Sequence, residues 1–196
     1  MIGIYRLNYL QRCIDEVLDN KVPGDFIEVG VCRGGATIFM RAMLKANDVI
    51  DLNVWFADSF EGLPAPDPKH FPFDRGSKFY KIDYFRVPIE QVKSNFSRYD
   101  LLDEQVKFLS GWFCDTLPSA PIEKLPILRL DADMYQSTYE ALEYLYPKLS
   151  IGGYVIVDDY RSINTCKQAV EDYRNNHSIN DELVWTDQTE VYWRRS

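Results

Sequence analysis

The sequence lacks closely spaced cysteines and an excess of positive charge. Its four cysteines, Cys13, Cys32, Cys114 and Cys166, are too far apart for a C-x-x-C motif, so a metal or redox centre of that kind is excluded. We therefore expect reduced thiols in a cytoplasmic protein. The formal net charge of -8 at pH 7 argues against nucleic acid or an anionic membrane as a partner.

A long apolar run is also missing near the N-terminus. Arg6, Asn8 and Gln11 interrupt the first apolar stretch, which therefore favours neither a signal peptide nor a membrane span. No internal repeat is visible. The 196 residues, 46% of them hydrophobic, suit one folded domain with a sizeable core, and we predict that this domain covers residues 1–196.

Short apolar segments alternate with segments of helical periodicity. The predicted strands lie, in chain order, in "DFIEVGV", "NVWFADSF", "QVKFLSGWF", "LPILRLDA" and "GGYVIVDDY", followed by a final pair in "LVWTDQ" and "TEVYWRR". This alternation predicts an α/β domain with a mainly parallel sheet. Ligands of such sheets bind beyond the carboxyl ends of the strands.

One helix start has a local signature. Ser137 and Glu140 fit the S-x-x-E capping box, in which each side chain satisfies a free backbone N–H group of the first turn. The motif predicts a helix that begins near Thr138.

Residues 61–87 differ in composition from the rest of the chain. They include "GLPAPDPKHFPFDRG", which is rich in proline, glycine and aromatic residues. Loops of this length in compact domains are usually lids or binding loops, so we predict a lid or substrate loop here. For His70, within this loop, a surface position is favoured over one that faces the substrate.

Acidic residues gather at the predicted strand ends. They are Glu28, Asp58, Asp131, Asp133, Asp158 and Asp159. Carboxylates crowded at one edge of a sheet repel each other unless a cation offsets their charge. Asp131, Asp158 and Asp159 would offer three carboxylates to a hard divalent cation such as Mg²⁺. The alternative is that Asp158 or Asp159 only caps the following helix.

The first predicted strand leads into a glycine-containing loop, "EVGVCRGGAT". Position 32 lacks the second glycine of G-x-G-x-x-G, and Glu28 disfavours a phosphate, so a dinucleotide is not favoured. Asp58 follows the second strand, where an acid can bind both hydroxyls of a ribose. This role is shared by nicotinamide cofactors and S-adenosylmethionine, and the acidic loop favours the sulfonium cofactor.

The chain resembles the macrocin O-methyltransferase family, S-adenosylmethionine-dependent enzymes that methylate sugar hydroxyls in antibiotic biosynthesis. The resemblance covers nearly the whole chain and is carried by "PGDFIEVGVCRGGATIFMRA", "VWFADSFEGLPAPDP", "GWFCDTLP", "LRLDADMYQSTYEALEYLYPKLSIGGYVIVDDY" and "VYWRRS". It implies the class I methyltransferase fold, a Rossmann-like, mainly parallel seven-stranded sheet with helices on both faces and one antiparallel strand in the last pair. Members usually carry a longer region before the first helix, and they tend to form homo-oligomers.

The resemblance also assigns roles to individual residues. The metal ligands of the family match Asp131, Asp158 and Asp159, and its proposed general base matches Asp133. The S-adenosylmethionine site matches Glu28, Gly30, Asp58 and Ser59, with Asp115 of "GWFCDT" as a further candidate near the adenine.

The expected function is metal-dependent transfer of a methyl group from S-adenosylmethionine to a hydroxyl of a sugar or glycosylated natural product. A catechol or other phenol is an alternative acceptor, because it also chelates Mg²⁺. A metal-dependent glycosyltransferase is a second alternative, since "DAD" resembles the D-x-D motif that holds manganese and a sugar nucleotide.

Overall fold

The computed structural model describes residues 2–196 and contains six α-helices and seven β-strands within them. The helices are α1 (Ile4–Asp19), α2 (Gly35–Ala46), α3 (Ile89–Ser97), α4 (Phe113–Thr116), α5 (Tyr135–Leu145) and α6 (Asn164–Asn176). The strands are β1 (Phe26–Val29), β2 (Val54–Asp58), β3 (Val106–Ser110), β4 (Leu125–Leu130), β5 (Leu149–Val157), β6 (Val184–Trp185) and β7 (Val191–Arg194).

The seven strands form one sheet in the order β3-β2-β1-β4-β5-β7-β6. The strands from β3 to β5 are all parallel, whereas β7 runs antiparallel to both of its neighbours. Every residue of β1 and of β4 is buried, as expected for central strands that helices cover on both faces. The predicted class I fold, including its single antiparallel strand, is confirmed.

Each face of the sheet has its own hydrophobic core. Helices α1, α2 and α3 pack on one face, where Ile14, Met40 and Phe96 are fully buried. Helices α5 and α6 cover the other face together with α4, and Leu142 and Val170 are buried there. Side chains alternate between the faces along each strand. The carboxyl ends of the five parallel strands β1 to β5 therefore lie at one edge of the sheet, between the two cores.

The strand order reverses between β1 and β4, which is where ligands bind in open α/β sheets. The two strand ends pack very closely here. Gly30 has a φ of +80°, and a Cβ atom at this position would lie only 1.9 Å from the carbonyl oxygen of Asp131. Glycine is thus required at position 30 for both backbone conformation and space.

The predicted start of α5 is wrong. The helix begins at Tyr135, so Ser137 lies inside it rather than before it. The carboxylate of Asp74, from the 61–87 loop, accepts the backbone N–H groups of Tyr135 and Gln136, both at 2.9 Å. A distant acceptor therefore replaces the local capping box.

The 61–87 segment contains neither an α-helix nor a strand. It folds into three short 3₁₀ turns, Pro72–Asp74, Phe79–Lys81 and Asp83–Phe85. Its irregular path agrees with its composition, whereas its role as a lid or substrate loop stays a prediction.

The four cysteines, all within the described residues, form no disulfide. Across residues 2–196, no helix combines the length and the apolar character that crossing a membrane would require.

Candidate active site

A cavity of about 670 Å³ opens at the carboxyl ends of the parallel strands. Seven of the nine residues predicted for the site line it: Gly30, Asp58, Ser59, Asp131, Asp133, Asp158 and Asp159. Glu28 and Asp115 do not line it. His70 is also outside the lining, and its Nδ1 lies 2.5 Å from Oδ2 of Asp67 at the surface.

Three carboxylates converge in the cavity. Asp131, Asp133 and Asp159 each place an oxygen within 4.8 Å of the other two. Burial, opposed by Arg129 and reinforced by the neighbouring acids, raises the pKa of Asp131 well above its usual range. Burial and the nearby Asp159 raise the pKa of Asp133 to about 8. The three carboxylates are a donor set that suits a hard divalent cation, whose charge would offset their repulsion.

Asp158 lies in the same cavity but is held differently. Its carboxylate is mostly buried, and its two oxygens pair with Arg6 of α1 and with Arg129 of β4. It does not belong to the converging group, which contains Asp133 in its place. The predicted ligand set and the observed cluster therefore share Asp131 and Asp159 and differ in the third carboxylate.

Arg129 is a buried cation that sequence reasoning missed. Its Nη1 donates to Glu28 at 2.6 Å and to Asp131 at 3.0 Å, and its Nη2 donates to Asp158. Oε2 of Glu190 lies 4.0 Å away from Nη2. The signal that could have revealed it is an arginine within the apolar run "LPILRLDA", because a charge inside a central strand needs buried partners.

Glu28 is part of this buried network and does not contact the cavity. It lies within β1, directly opposite Arg129 of β4 in the register of the sheet. Its carboxylate accepts hydrogen bonds from Arg129 and from the hydroxyl of Thr37. Both oxygens are thus engaged inside the protein, and a role of Glu28 at the cofactor stays a prediction.

Asp58 holds two loops together at one side of the cavity. Its Oδ2 accepts the N–H of Val31 and its Oδ1 the N–H of Phe60, both at 2.8 Å. Burial raises the pKa of Asp58, while these N–H groups favour the carboxylate. Ser59 donates to the carbonyl oxygen of Gly62 at 2.7 Å, which closes the turn after β2. The carboxylate thereby fixes the glycine loop against this turn.

Aromatic side chains form another wall of the cavity. Trp112 and Phe113 come from the segment after β3, and Tyr84 and Phe85 from the 61–87 loop. The segment "GWFCDT" therefore reaches the cavity, but the exposed Asp115 does not line it, and the place of this segment near the adenine stays a prediction. Helix α5 adds polar groups, including Gln136 and Glu140. A substrate loop was predicted at 61–87, but sequence reasoning singled out none of these four aromatic side chains.

The family profile described as macrocin-O-methyltransferase (TylF) matches residues 1–195. The chain belongs to the macrocin O-methyltransferase family. It is therefore an S-adenosylmethionine-dependent O-methyltransferase. The interpretation of "DAD" as a glycosyltransferase motif is wrong, because the family and the relatives described below transfer methyl groups.

Relatives with assigned reactions agree with this placement. Demethyldecarbamoylnovobiocin O-methyltransferase of Streptomyces niveus is 51% identical over 197 residues, which cover 100% of this chain and 75% of that protein. The 8-demethyl-8-(2,3-dimethoxy-alpha-L-rhamnosyl)-tetracenomycin-C 4'-O-methyltransferase of Streptomyces olivaceus is 50% identical, with coverage of 100% and 75%. The solved structure of the O-methyltransferase NovP superposes with a TM-score of 0.97 at 51% identity, covering 100% of this chain and 81% of that chain.

Proposed function

We propose that this methyltransferase methylates a sugar hydroxyl of a glycosylated natural product, with a divalent cation held at the acidic strand ends. The observation that carries the proposal is the convergence of Asp131, Asp133 and Asp159 in the cavity of a macrocin O-methyltransferase family member. The name of the Streptomyces olivaceus relative specifies a rhamnosyl-bearing acceptor, which supports this substrate class.

We assign the cation to Asp131, Asp159 and Asp158. Asp131 and Asp159 belong to the converging group, and Asp158 adjoins Asp159 in the chain and lines the same cavity. The pairing of Asp158 with Arg6 and Arg129 does not exhaust its capacity, since each carboxylate oxygen has two acceptor sites. The cation would supply positive charge that lowers the pKa of an acceptor hydroxyl.

We assign the proton transfer to Asp133. Its carboxylate lies among the proposed ligands, so an acceptor hydroxyl at that point would be within hydrogen-bond reach. Asp133 would take the hydroxyl proton as the oxygen attacks the methyl carbon. The carbon–sulfur bond of S-adenosylmethionine then breaks, and S-adenosylhomocysteine remains. The ordered walls of the cavity would align oxygen, carbon and sulfur for this transfer.

The lining of the cavity suits an acceptor that has both a polar and an apolar surface. Gln136 and Glu140 of α5 offer polar groups that can bind sugar hydroxyls, whereas Trp112, Tyr84 and Phe85 offer apolar and stacking contacts for the rest of the molecule. The same aromatic wall would accommodate a phenol, so a catechol acceptor is kept as the alternative.

The proposal is tested by a methyl-transfer assay with glycosylated and catechol acceptors. Each acceptor is measured with Mg²⁺, with EDTA, and with EDTA followed by excess Mg²⁺. We expect turnover of a sugar-containing acceptor that EDTA abolishes and Mg²⁺ restores. Methylation of catechols alone would overturn the acceptor class, and full activity in EDTA would overturn the metal requirement.

A further inference from the structure

The 61–87 loop is attached to the start of α5 by one buried carboxylate. Asp74 is 1% exposed, and its two oxygens accept the N–H groups of Tyr135 and Gln136, both at 2.9 Å. These are the first two residues of α5, whose N–H groups have no partner within the helix. An aspartate at this end also interacts favourably with the helix dipole.

Aromatic packing reinforces the same attachment. The ring of Phe73, next to Asp74, stacks on Tyr135 with a centroid distance of 4.9 Å, and Phe71 lies 6.4 Å from the same ring. Tyr135 in turn stacks on Tyr139 one helical turn later, at 5.7 Å. The middle of the loop is thus fixed to α5 by a carboxylate cap and by stacked rings.

The attached segment lies between the two parts of the loop that line the cavity. Leu63, Pro64 and Ala65 contribute before Asp74, and Tyr84 and Phe85 contribute after it. On the α5 side, Gln136 lies next to Tyr135 and lines the cavity itself. A displacement of Asp74 from α5 would therefore move loop residues on the acceptor side relative to Gln136.

We propose that Asp74 is a positioning residue that sets acceptor affinity by seating the 61–87 loop on the N-terminus of α5. The inference deepens the proposed function, because it takes this cavity as the place where the acceptor binds. Asp74 does not line the cavity and acts only through the loop and the helix. Its loss should weaken acceptor binding more than the chemical step or the binding of S-adenosylhomocysteine.

The test compares Asp74→Ala and Asp74→Asn with Asp83→Ala. Asp83 is a matched control in the same loop, since within residues 2–196 its exposed side chain forms a salt bridge with Arg86 alone, at 3.2 Å. For each protein we would measure acceptor KM and kcat, the Kd of S-adenosylhomocysteine, and hydrogen exchange of peptides covering residues 61–87 and 134–140. The exchange experiment needs no substrate.

For Asp74→Ala we expect acceptor KM to rise about fivefold or more, the factor that corresponds to the typical loss of a helix cap. The change in kcat and in the Kd of S-adenosylhomocysteine should be smaller, and exchange should accelerate in both peptides. Asp74→Asn should lie between Asp74→Ala and wild type, because its amide retains one acceptor oxygen. Asp83→Ala should match wild type.

The proposal would be overturned if Asp74→Ala had the same acceptor KM as wild type. It would also be overturned if hydrogen exchange in residues 61–87 were the same in Asp74→Ala and wild type. An equal loss of affinity for acceptor and S-adenosylhomocysteine would also overturn it, because it would indicate general destabilisation. If Asp74→Ala does not fold, Asp74→Asn provides the same comparison. If the wild-type protein methylated no sugar acceptor, the proposed function would be refuted. The hydrogen-exchange comparison would still decide whether Asp74 holds the loop.

Discussion

Arg129 donates from Nη1 to the carboxylate of Asp131, two residues further along the same chain segment, across 3.0 Å. The arginine is 2% exposed and also donates to Glu28 at 2.6 Å. One buried cation therefore links a carboxylate in the core to one in the cavity. This link orients Asp131, because one of its oxygens is committed to the arginine while the other can face a ligand.

Replacing this cation should strongly destabilise the protein. Arg129→Met would leave Glu28 buried without its partner, and removing one partner of a buried ion pair typically costs about 3–5 kcal/mol. Urea unfolding would measure the free-energy difference from wild type. Arg98→Met is the control, because Arg98 is exposed and such changes are usually within about 0.5 kcal/mol. Equal stability of the Arg129 variant and the control would contradict the buried network.

Two carboxylate-to-amide variants separate the ligand from the base. In Asp158→Asn we expect loss of metal-dependent turnover, because a proposed metal ligand loses its charge. Binding of S-adenosylhomocysteine should be largely retained, although the variant also weakens the pairing of Asp158 with Arg6 and Arg129. In Asp133→Asn we expect lower turnover with divalent-cation binding preserved, since a general base typically contributes about 10²–10⁴-fold. Calorimetry with Mn²⁺ and initial rates would be measured on both.

The opposite pattern would reassign the roles of these two residues. If Asp133→Asn loses the cation and Asp158→Asn keeps it, Asp133 is the third ligand, in agreement with the convergence of Asp131, Asp133 and Asp159. In that case Asp158 would be a partner of Arg6 and Arg129 only.

Asp58 should matter for both stability and cofactor binding. Asp58→Asn replaces one acceptor oxygen by an NH₂ group, so an N–H from Val31 or Phe60 loses its partner. An unsatisfied buried group costs about 1–3 kcal/mol, and the loosened glycine loop should bind S-adenosylhomocysteine less tightly. Thermal unfolding and calorimetry would report the two effects, with Asp100→Asn at an exposed site as control. Unchanged affinity would exclude Asp58 from the cofactor site.

The lowered pKa of Asp187 predicts that the stability of the protein falls at acid pH. Burial alone would raise its pKa, but hydrogen bonds from Arg6 and from the N–H groups of Thr189 and Glu190 lower it from 3.8 to about 2. A depressed pKa in the folded state contributes stability above pH 3.8 that is lost as the pH falls towards 2. Wild type should therefore exceed Asp187→Asn in stability at neutral pH, by at most about 1 kcal/mol for a partly exposed pair.

The difference between wild type and Asp187→Asn should shrink as the pH falls from 3.8 to about 2. Urea unfolding of both proteins at a series of pH values would measure it. A difference that stays constant over this range would show that the Arg6–Asp187 pair does not contribute through ionisation.

The acidic residues at the edge of the sheet could be predicted from the sequence, because they directly follow apolar segments that are recognisable as strands. Asp131 and Asp159 each follow an apolar strand, and parallel strand ends share one edge of the sheet. Glu28 was expected at the same edge. It lies inside β1, where its side chain meets Arg129 rather than the cavity.

The remaining differences involve contacts between distant segments. The capping box failed at α5 because Asp74, 61 residues before Tyr135, supplies a better-placed acceptor. The pairing of Asp158 with Arg6 joins residues that are 152 positions apart. Neither contact leaves a pattern in the local sequence, so neither could be predicted from spacing.

Divalent-cation binding by Asp131 and Asp159 is the central claim, and titration calorimetry with Mg²⁺ or Mn²⁺ tests it most directly. The titration would be done in the presence of S-adenosylhomocysteine on wild type, Asp131→Asn, Asp159→Asn and the exposed-site control Asp100→Asn. We expect wild type and Asp100→Asn to bind one ion, and both active-site variants to bind at least about tenfold more weakly, because each loses a charged oxygen ligand. A wild-type protein that binds no ion, or active-site variants with wild-type affinity, would contradict the account.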